Sequence, residues 1–250
     1  RVARWEKAAG AYYKSTPEQL KAASDHLSYT TDIKEALSGA DLVIEALTED
    51  PAQKEAFYKE KFAPNADADT ILVTNTSTLL PSQLADATGR PDKFLAYHFA
   101  TEIWQNNTAE IMPQPKTDPN LPATLEQYSR EIGAIPIMVK KEQPGYVLNS
   151  LLVPLLDAAA YLWVNDIADV KTVDKTWMIA TGAPVGPFAI MDTVGLKTVY
   201  AIDSMYPDDE HQKAAKKVKE MIDAGHFGAE AGEGFYKYPN PAYLEPDFTK

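Results

Sequence analysis

A histidine and a glutamate, twelve positions apart, are the side chains whose types and spacing best suit acid–base chemistry. His98 is the next-to-last residue of the apolar stretch KFLAYHF, and Glu110 begins the next strand-like stretch. A histidine at a strand's carboxyl end can give or take a proton near neutral pH. A strand, a turn and a returning strand would let the carboxylate orient the ring. From spacing alone, the alternative is a histidine bonded to backbone and a glutamate in solvent.

Small polar residues follow a second apolar strand, TILVT, and one amide lies in a long apolar helix. Asn75, Thr76 and Ser77 can line a ligand site or cap the next helix, and from the residues alone we favour capping. Asn149 lies on an apolar face of the long helix, where a buried side-chain amide without a hydrogen-bond partner costs about 1–3 kcal/mol. It is therefore either a ligand contact or an anchor at a domain interface.

Glu49 and Lys54 flank Pro51, one after the strand DLVIEAL and the other in the first turn of the following helix. Lys54 could meet a phosphate or a ribose. From spacing alone, the favoured interpretation of these two residues is an ordinary solvated pair.

The elements that must position these residues change character along the chain. Short apolar strands alternate with helices in the first part, which indicates a doubly wound α/β sheet. From Tyr146 onward the sequence has almost no strand signal, and its longest helix is predicted from Tyr146 to Val164. We place a boundary near Lys141, which gives an α/β domain over residues 1–140 and an all-α domain over residues 141–250.

Composition excludes several classes of function. The 250 residues carry a net charge of −12, which disfavours nucleic acid as a partner. No apolar run approaches the roughly 20 residues of a membrane helix, so no membrane partner is expected. The absence of cysteine excludes thiolate catalysis and thiolate metal sites and is compatible with a reducing, cytoplasmic location. The sequence contains no GxGxxG, no GxxxxGK[ST], no GxSxG and no HExxH or close His/Asp cluster, so no metal site is predicted.

Several motifs together resemble the 3-hydroxyacyl-CoA dehydrogenase family. Between Ser28 and Tyr238 they occur in the order ADLVIEALTED, NTST, HFA, Glu110, QPGYVLNSLLVPLLDAA, GAPVGPFAIMDTVGL and GEGFYKY. The resemblance implies a Rossmann-like NAD-binding domain and a helical C-terminal domain that makes a homodimer and closes over acyl-CoA. The expected fold is thus a truncated Rossmann-like doubly wound sheet followed by an all-α domain.

The resemblance also implies roles for the residues singled out above. His98 is implied as the general base that removes the 3-hydroxyl proton while hydride leaves C3 for the nicotinamide, and Glu110 as its orienting partner. Ser77 and Asn149 are implied to bind the substrate's oxygen or to steady His98. The expected contacts of the NAD cofactor are Glu49, Lys54 and Asn75. The expected substrate is a short 3-hydroxyacyl-CoA such as hydroxybutyryl-CoA.

Three features depart from the family pattern. The family's opening strand and glycine-rich loop are expected upstream of Arg1, so we expect these 250 residues alone to bind NAD weakly. The upstream segment would also carry the residue that distinguishes NAD from NADP. Thr101 replaces the asparagine of the family's HFxNP, and Glu230 stands where a lysine is common. Two alternatives therefore stay open: a dehydrogenase of a free acid such as gulonate, and a non-catalytic, crystallin-like relative.

Overall fold

The computed structural model describes residues 2–250, with side chains from Glu6 onward. It divides into two compact units, Arg1–Asn149 and Ser150–Lys250. This division falls nine residues after the boundary predicted near Lys141. Residues 142–149 belong with the first unit because hydrogen bonds tie them to it: the Glu142 carboxylate accepts one from the Ser82 backbone, and the Tyr146 hydroxyl donates one to the Thr76 carbonyl.

The first unit contains one five-stranded sheet whose order in space follows the chain. Strands β1, β2 and β3 are parallel, β4 runs antiparallel to β3, and β5 is parallel to β4. The strands are β1 (Leu42–Glu45), β2 (Ile71–Thr74), β3 (Phe94–Phe99), β4 (Thr108–Met112) and β5 (Ile135–Met138). Three parallel strands with helical crossovers confirm the doubly wound α/β class predicted from the sequence.

Alternate residues of the strands pack on opposite faces of the sheet, which explains their almost continuous apolar sequences. Leu72 and Phe94 contribute to a core on one face with Tyr58 and Phe62. Their neighbours in the chain, including Val73 and Leu95, contribute to a core on the other face. Both faces of the sheet are therefore covered, as a parallel sheet requires.

Eleven α-helices accompany the strands within residues 2–250. Those beginning in the first unit are α1 (Val2–Tyr12), α2 (Pro17–Asp25), α3 (Ile33–Leu37), α4 (Pro51–Phe57), α5 (Pro81–Leu84), α6 (Leu121–Glu131) and α7 (Leu148–Val164). The second unit holds most of α7 and all of α8 (Val170–Thr181), α9 (Pro187–Val194), α10 (Leu196–Asp203) and α11 (Asp209–Asp223). None of the helices in the described chain is long and apolar enough to cross a membrane.

Helix α7 begins two residues later than the sequence predicts. Gly145 and Tyr146 both have positive φ, +79° and +55°, which right-handed helical backbone does not permit. These two residues form a turn that ends before Leu148, where α7 begins.

In the second unit, two buried carboxylates, Asp174 and Asp192, accept hydrogen bonds from the backbone of the motifs that carry the resemblance. Asp174 accepts hydrogen bonds from the Phe188 and Ala189 backbone at the start of α9, at 2.9 and 3.1 Å. A Cβ on Gly186 would lie only 2.3 Å from Asp174 Cγ, so glycine is required for this approach. Asp192 likewise accepts hydrogen bonds from the backbone of the GEGFYKY segment. These long motifs therefore specify packing in this unit.

Candidate functional site

The polar residues predicted to form a site follow the carboxyl ends of β1, β2 and β3. The register pairs Glu45 of β1 with Thr74 of β2, and Thr74 with Ala96 of β3. The segments after these strands therefore emerge at one edge of the sheet, where ligands bind in open α/β sheets. Glu49 follows β1, the segment from Asn75 to Thr78 follows β2, and His98 is the penultimate residue of β3.

The predicted pairing of His98 with Glu110 is confirmed by the geometry. The two residues are direct partners across the antiparallel β3–β4 ladder, and His98 Nδ1 lies 2.9 Å from Glu110 Oε2. Both side chains are buried. The hydroxyl of Ser77 lies 3.2 Å from the other ring nitrogen, His98 Nε2. Ser77 is thus part of the same hydrogen-bonded group and does more than cap a helix.

The second oxygen of Glu110 is held by backbone. Glu110 Oε1 accepts hydrogen bonds from the N–H groups of Val147 and Leu148, each at 2.9 Å, where α7 begins. Burial opposes ionisation of Glu110, but the hydrogen bonds from His98, Leu148 and Val147 outweigh it and hold the pKa of this carboxyl below its ordinary value. Glu110 is therefore an anion that can only accept hydrogen bonds.

An anionic Glu110 determines which nitrogen of His98 carries the proton. Because the carboxylate only accepts, Nδ1 must donate, and neutral His98 then has an unprotonated Nε2. That nitrogen can accept a hydrogen bond from Ser77 or a proton from a ligand hydroxyl. The group therefore has the arrangement of a base that is oriented by a carboxylate.

Tyr146 is a member of the site to which the sequence analysis assigned no role. Its ring is stacked on the imidazole of His98, with centroids 4.7 Å apart and planes 15° from parallel. Its hydroxyl donates to the Thr76 carbonyl at 2.7 Å. The signal in the sequence was an aromatic residue directly after Pro-Gly at the start of the apolar helix, but its contact with His98 depends on the positive-φ turn.

Glu49 organises the segment that carries Ser77. Its Oε1 accepts hydrogen bonds from the backbone N–H groups of Ser77 and Thr78 at 2.8 and 2.9 Å and from the hydroxyls of Thr76 and Thr78. Burial opposes ionisation, but the hydrogen bonds from Thr76 and Thr78 and the charge of Lys54 hold the pKa of Glu49 below its ordinary value. Nearby, Asn75 Oδ1 accepts from the Phe99 N–H at 3.0 Å and joins the ends of β2 and β3.

Lys54 is buried, so the solvated pair considered from its spacing is wrong. Its Nζ lies 2.7 Å from Glu45 Oε1, 3.3 Å from the Leu47 carbonyl and 3.6 Å from Glu49 Oε2. Direct contact between Lys54 and a phosphate would require this ion pair to open. Glu45, which also accepts hydrogen bonds from Tyr58 and Thr74, is the partner that the sequence analysis missed.

Asn149 lies in the first turn of α7, directly after Leu148. Its backbone N–H donates to the Gly145 carbonyl at 2.9 Å, and its side chain is half-buried. The structure brings together His98, Glu110 and Ser77. Among the described residues, none forms a hydrogen bond with the side-chain amide of Asn149.

Both units match models of known protein domains. Residues 3–143 match the NAD binding domain of 3-hydroxyacyl-CoA dehydrogenase, and residues 145–238 match the C-terminal domain of the same family. Together the two matches cover most of the chain.

Individual relatives agree with the domain matches. The chain is 32% identical over 231 residues to the mitochondrial hydroxyacyl-coenzyme A dehydrogenase of Sus scrofa, covering 90% of this chain and 72% of that protein. It is 31% identical over 232 residues to the 3-hydroxybutyryl-CoA dehydrogenase of Clostridioides difficile, covering 92% of this chain and 80% of that protein.

Among solved structures, a diketoreductase with substrate-directed dual catalysis of dicarbonyl compounds is similar, at a TM-score of 0.86. It is 48% identical, and the match covers 94% of this chain and 84% of that one. The chain belongs to the 3-hydroxyacyl-CoA dehydrogenase family of NAD-dependent oxidoreductases.

Proposed function

We propose that this protein interconverts a short-chain (3S)-3-hydroxyacyl-CoA and the corresponding 3-oxoacyl-CoA, with His98 as the general base. The observation that carries the proposal is the hydrogen bonding of the imidazole. Anionic Glu110 holds the proton on Nδ1, which leaves Nε2 unprotonated beside the Ser77 hydroxyl. A base of this kind suits removal of a proton from a secondary alcohol near neutral pH.

In the oxidation direction, His98 Nε2 takes the proton of the 3-hydroxyl group. NAD, when bound, supplies the acceptor for the hydride that leaves C3. The imidazolium that results is stabilised by the Glu110 carboxylate, which remains ionised because Val147 and Leu148 also donate to it. In the reduction direction, His98 gives the proton back to the developing alkoxide. Ser77, whose hydroxyl lies 3.2 Å from His98 Nε2, would donate a hydrogen bond to the same oxygen.

Glu49 is the residue best suited to a sugar hydroxyl of the cofactor. All of the hydrogen bonds from Thr76, Ser77 and Thr78 to Glu49 go to Oε1, and Oε2 lies 3.6 Å from Lys54 Nζ. The Glu49 side chain is 36% exposed, so Oε2 can accept from a ribose hydroxyl. In this proposal Lys54 acts indirectly, because its charge keeps Glu49 ionised. Asn75 fixes the neighbouring backbone through its hydrogen bond from the Phe99 N–H. Asn149 would contact the substrate from the first turn of α7.

A homodimer through the second unit is part of the proposal. The strongly exposed large apolar side chains of that unit include Leu151 (72%) and Tyr161 (48%) on α7 and Ile179 (57%) on α8. Exposed apolar groups of this size are typical of surfaces that bind another protein. Light scattering at micromolar concentration measures the assembly, and a monomeric mass would contradict the dimer.

The similarity to the diketoreductase supports a second candidate, the reduction of a free dicarbonyl compound. At 48% identity this relative is markedly more similar than the acyl-CoA dehydrogenases, which are near 31%. The proton chemistry at His98 would be the same, because a ketone oxygen becomes an alkoxide in either substrate. The two candidates differ only in whether binding energy from the CoA portion is used.

A comparison of two substrates separates the candidates. The full chain would be assayed for loss of NADH with acetoacetyl-CoA and with acetylacetone, a free β-diketone. Use of acyl-CoA predicts a kcat/KM at least ~10-fold higher for acetoacetyl-CoA. The opposite preference would favour the free dicarbonyl compound. In both cases Ser77→Ala should lower kcat/KM, whereas Ser82→Ala, an exposed control on α5, should not.

A further inference from the structure

Three titratable side chains on different helices of the second unit converge beside a cavity. Asp157 is on α7, Asp203 ends α10, and His211 is in the first turn of α11. One ligand atom of each lies within 4.8 Å of the others. A cavity of about 260 Å³ opens against all three residues. A volume of this size holds an ion together with several water molecules.

Asp203 is the residue that calls for an explanation. It is only 7% exposed and borders the cavity. Among the residues whose side chains the structure describes, none donates a hydrogen bond to its carboxylate. Buried carboxylates are normally paired, because removing such a charge from water is costly. A ligand of opposite charge in the cavity would provide the missing partner.

His211 is already oriented as a metal ligand. Its Nδ1 lies 2.9 and 2.7 Å from the two carboxylate oxygens of Asp208, which also caps α11. Its ring is stacked on Tyr206, with centroids 4.4 Å apart and planes 23° from parallel. A histidine that binds a metal usually donates its other N–H to a carboxylate, which fixes the tautomer. Here that arrangement turns Nε2 towards Asp157, 3.8 Å from its Oδ2.

We propose that Asp157, Asp203 and His211 Nε2 bind one divalent transition-metal ion of the Zn²⁺ class, within the second unit. Two carboxylates and one imidazole are ligands that Zn²⁺ accepts, and a fourth position would be left to water from the cavity. Tetrahedral ligands at about 2.1 Å from the metal are roughly 3.4 Å apart, so side-chain shifts of about 1 Å would close the site. The ion would neutralise the two carboxylates and link α7, α10 and α11.

The competing explanation is an ion pair without metal, in which protonated His211 bridges Asp157 and Asp208. Burial opposes protonation of His211, but Asp208 and Asp157 outweigh it and raise its pKa above the ordinary value. This explanation accounts for His211, but it leaves the carboxylate of Asp203 without a donor.

Zn²⁺ titration of the full chain, after treatment with a chelator, decides between the two. Calorimetry should give one site per chain with micromolar or tighter affinity. Asp203→Asn and His211→Gln should each weaken it at least ~100-fold, and Asp208→Asn about 10-fold. The matched control is His226→Gln, because His226 Nε2 also lies 3.8 Å from a single carboxylate oxygen, Glu233 Oε1. This control should bind Zn²⁺ normally.

Thermal unfolding provides a second readout that detects variants that do not fold. Zn²⁺ at one hundred times its Kd should raise the Tm of the unsubstituted chain by about 5–10 °C and leave that of folded Asp203→Asn unchanged. The proposal would be overturned if the unsubstituted chain bound no Zn²⁺ below ~100 µM. It would equally be overturned if Asp203→Asn and His211→Gln kept full affinity. Neither result depends on the activity at His98.

Discussion

His98 and Glu110 are opposite residues of one antiparallel ladder, and the turn into α7 binds the same carboxylate from the other side. The carboxylate thus has one oxygen for the imidazole and one for two backbone N–H groups. Because a ladder fixes both residues through main-chain hydrogen bonds, the orientation of the ring does not depend on a loop. In the proposed mechanism, the pairing therefore orients His98 before any ligand is bound.

Replacing Glu110 with glutamine tests what its charge contributes. Glu110→Gln keeps the shape of the side chain but removes the anion that stabilises the imidazolium. We expect kcat to fall by about 10²–10⁴-fold while KM changes little, because the imidazolium forms only during the reaction. Steady-state kinetics with acetoacetyl-CoA and NADH measures both values. Glu126→Gln is the control, since the half-exposed side chain of Glu126 forms an ion pair with Arg130 on its own helix. An increase in KM alone would mean that Glu110 serves binding.

Tyr146 lends itself to a pair of substitutions that separate its ring from its hydroxyl. Tyr146→Phe loses the hydrogen bond to the Thr76 carbonyl and should lower the free energy of unfolding by about 1 kcal/mol, with kcat nearly unchanged. Tyr146→Leu also loses the stacking on His98 and should lower kcat. Urea denaturation and kinetics are the measurements. Equal kcat values for the two variants would contradict a role for the ring in positioning His98.

Asp203 should make stability depend on pH when no metal is bound. Burial and the nearby charge of Asp157 raise its pKa from 3.8 to about 6, so the folded state favours the protonated acid. A raised carboxyl pKa means that stability is greatest below the unfolded pKa and is lost as pH rises through the folded pKa. In chelator, Asp203→Asn should therefore raise the free energy of unfolding by about 1–3 kcal/mol at pH 7.

The same argument predicts that this gain disappears on acidification. Below a pH of about 3, Asp203 is mostly protonated in both states and resembles the asparagine that replaces it. Urea denaturation at a pH of about 7 and at a pH of about 3 gives the two differences. A gain that is equal at both pH values would contradict the assignment of the effect to the Asp203 charge.

The sequence predicts a contact within the site when the two residues lie close together in the chain, and it fails when the contact depends on tertiary packing. The pairing of His98 with Glu110 follows from one hairpin, whose two strands are separated by few residues. The burial of Lys54 could not be predicted, because it depends on the docking of α4 over β1 and on a glutamate within an apolar strand. The role of Tyr146 depends on two successive positive-φ residues, of which only Gly145 is recognisable by type.

Distance along the chain also explains why the sequence does not predict the metal site proposed above. The sequence contains no HExxH motif, the close spacing of histidines and a carboxylate that predicts a metal site. Asp157, Asp203 and His211 are brought together only when three helices pack. The fold class, by contrast, followed from the alternation of apolar strands and helices.

The measurement that tests the account most directly is the kcat of His98→Gln in the reduction of acetoacetyl-CoA by NADH. Without the imidazole, the enzyme lacks the proposed donor of the proton to the alkoxide. We therefore predict a loss of at least ~10³-fold in kcat, with His226→Gln, a histidine substitution in the second unit, at full activity. A His98→Gln enzyme that retained more than a tenth of the unsubstituted kcat would contradict the assignment of His98 as the general base.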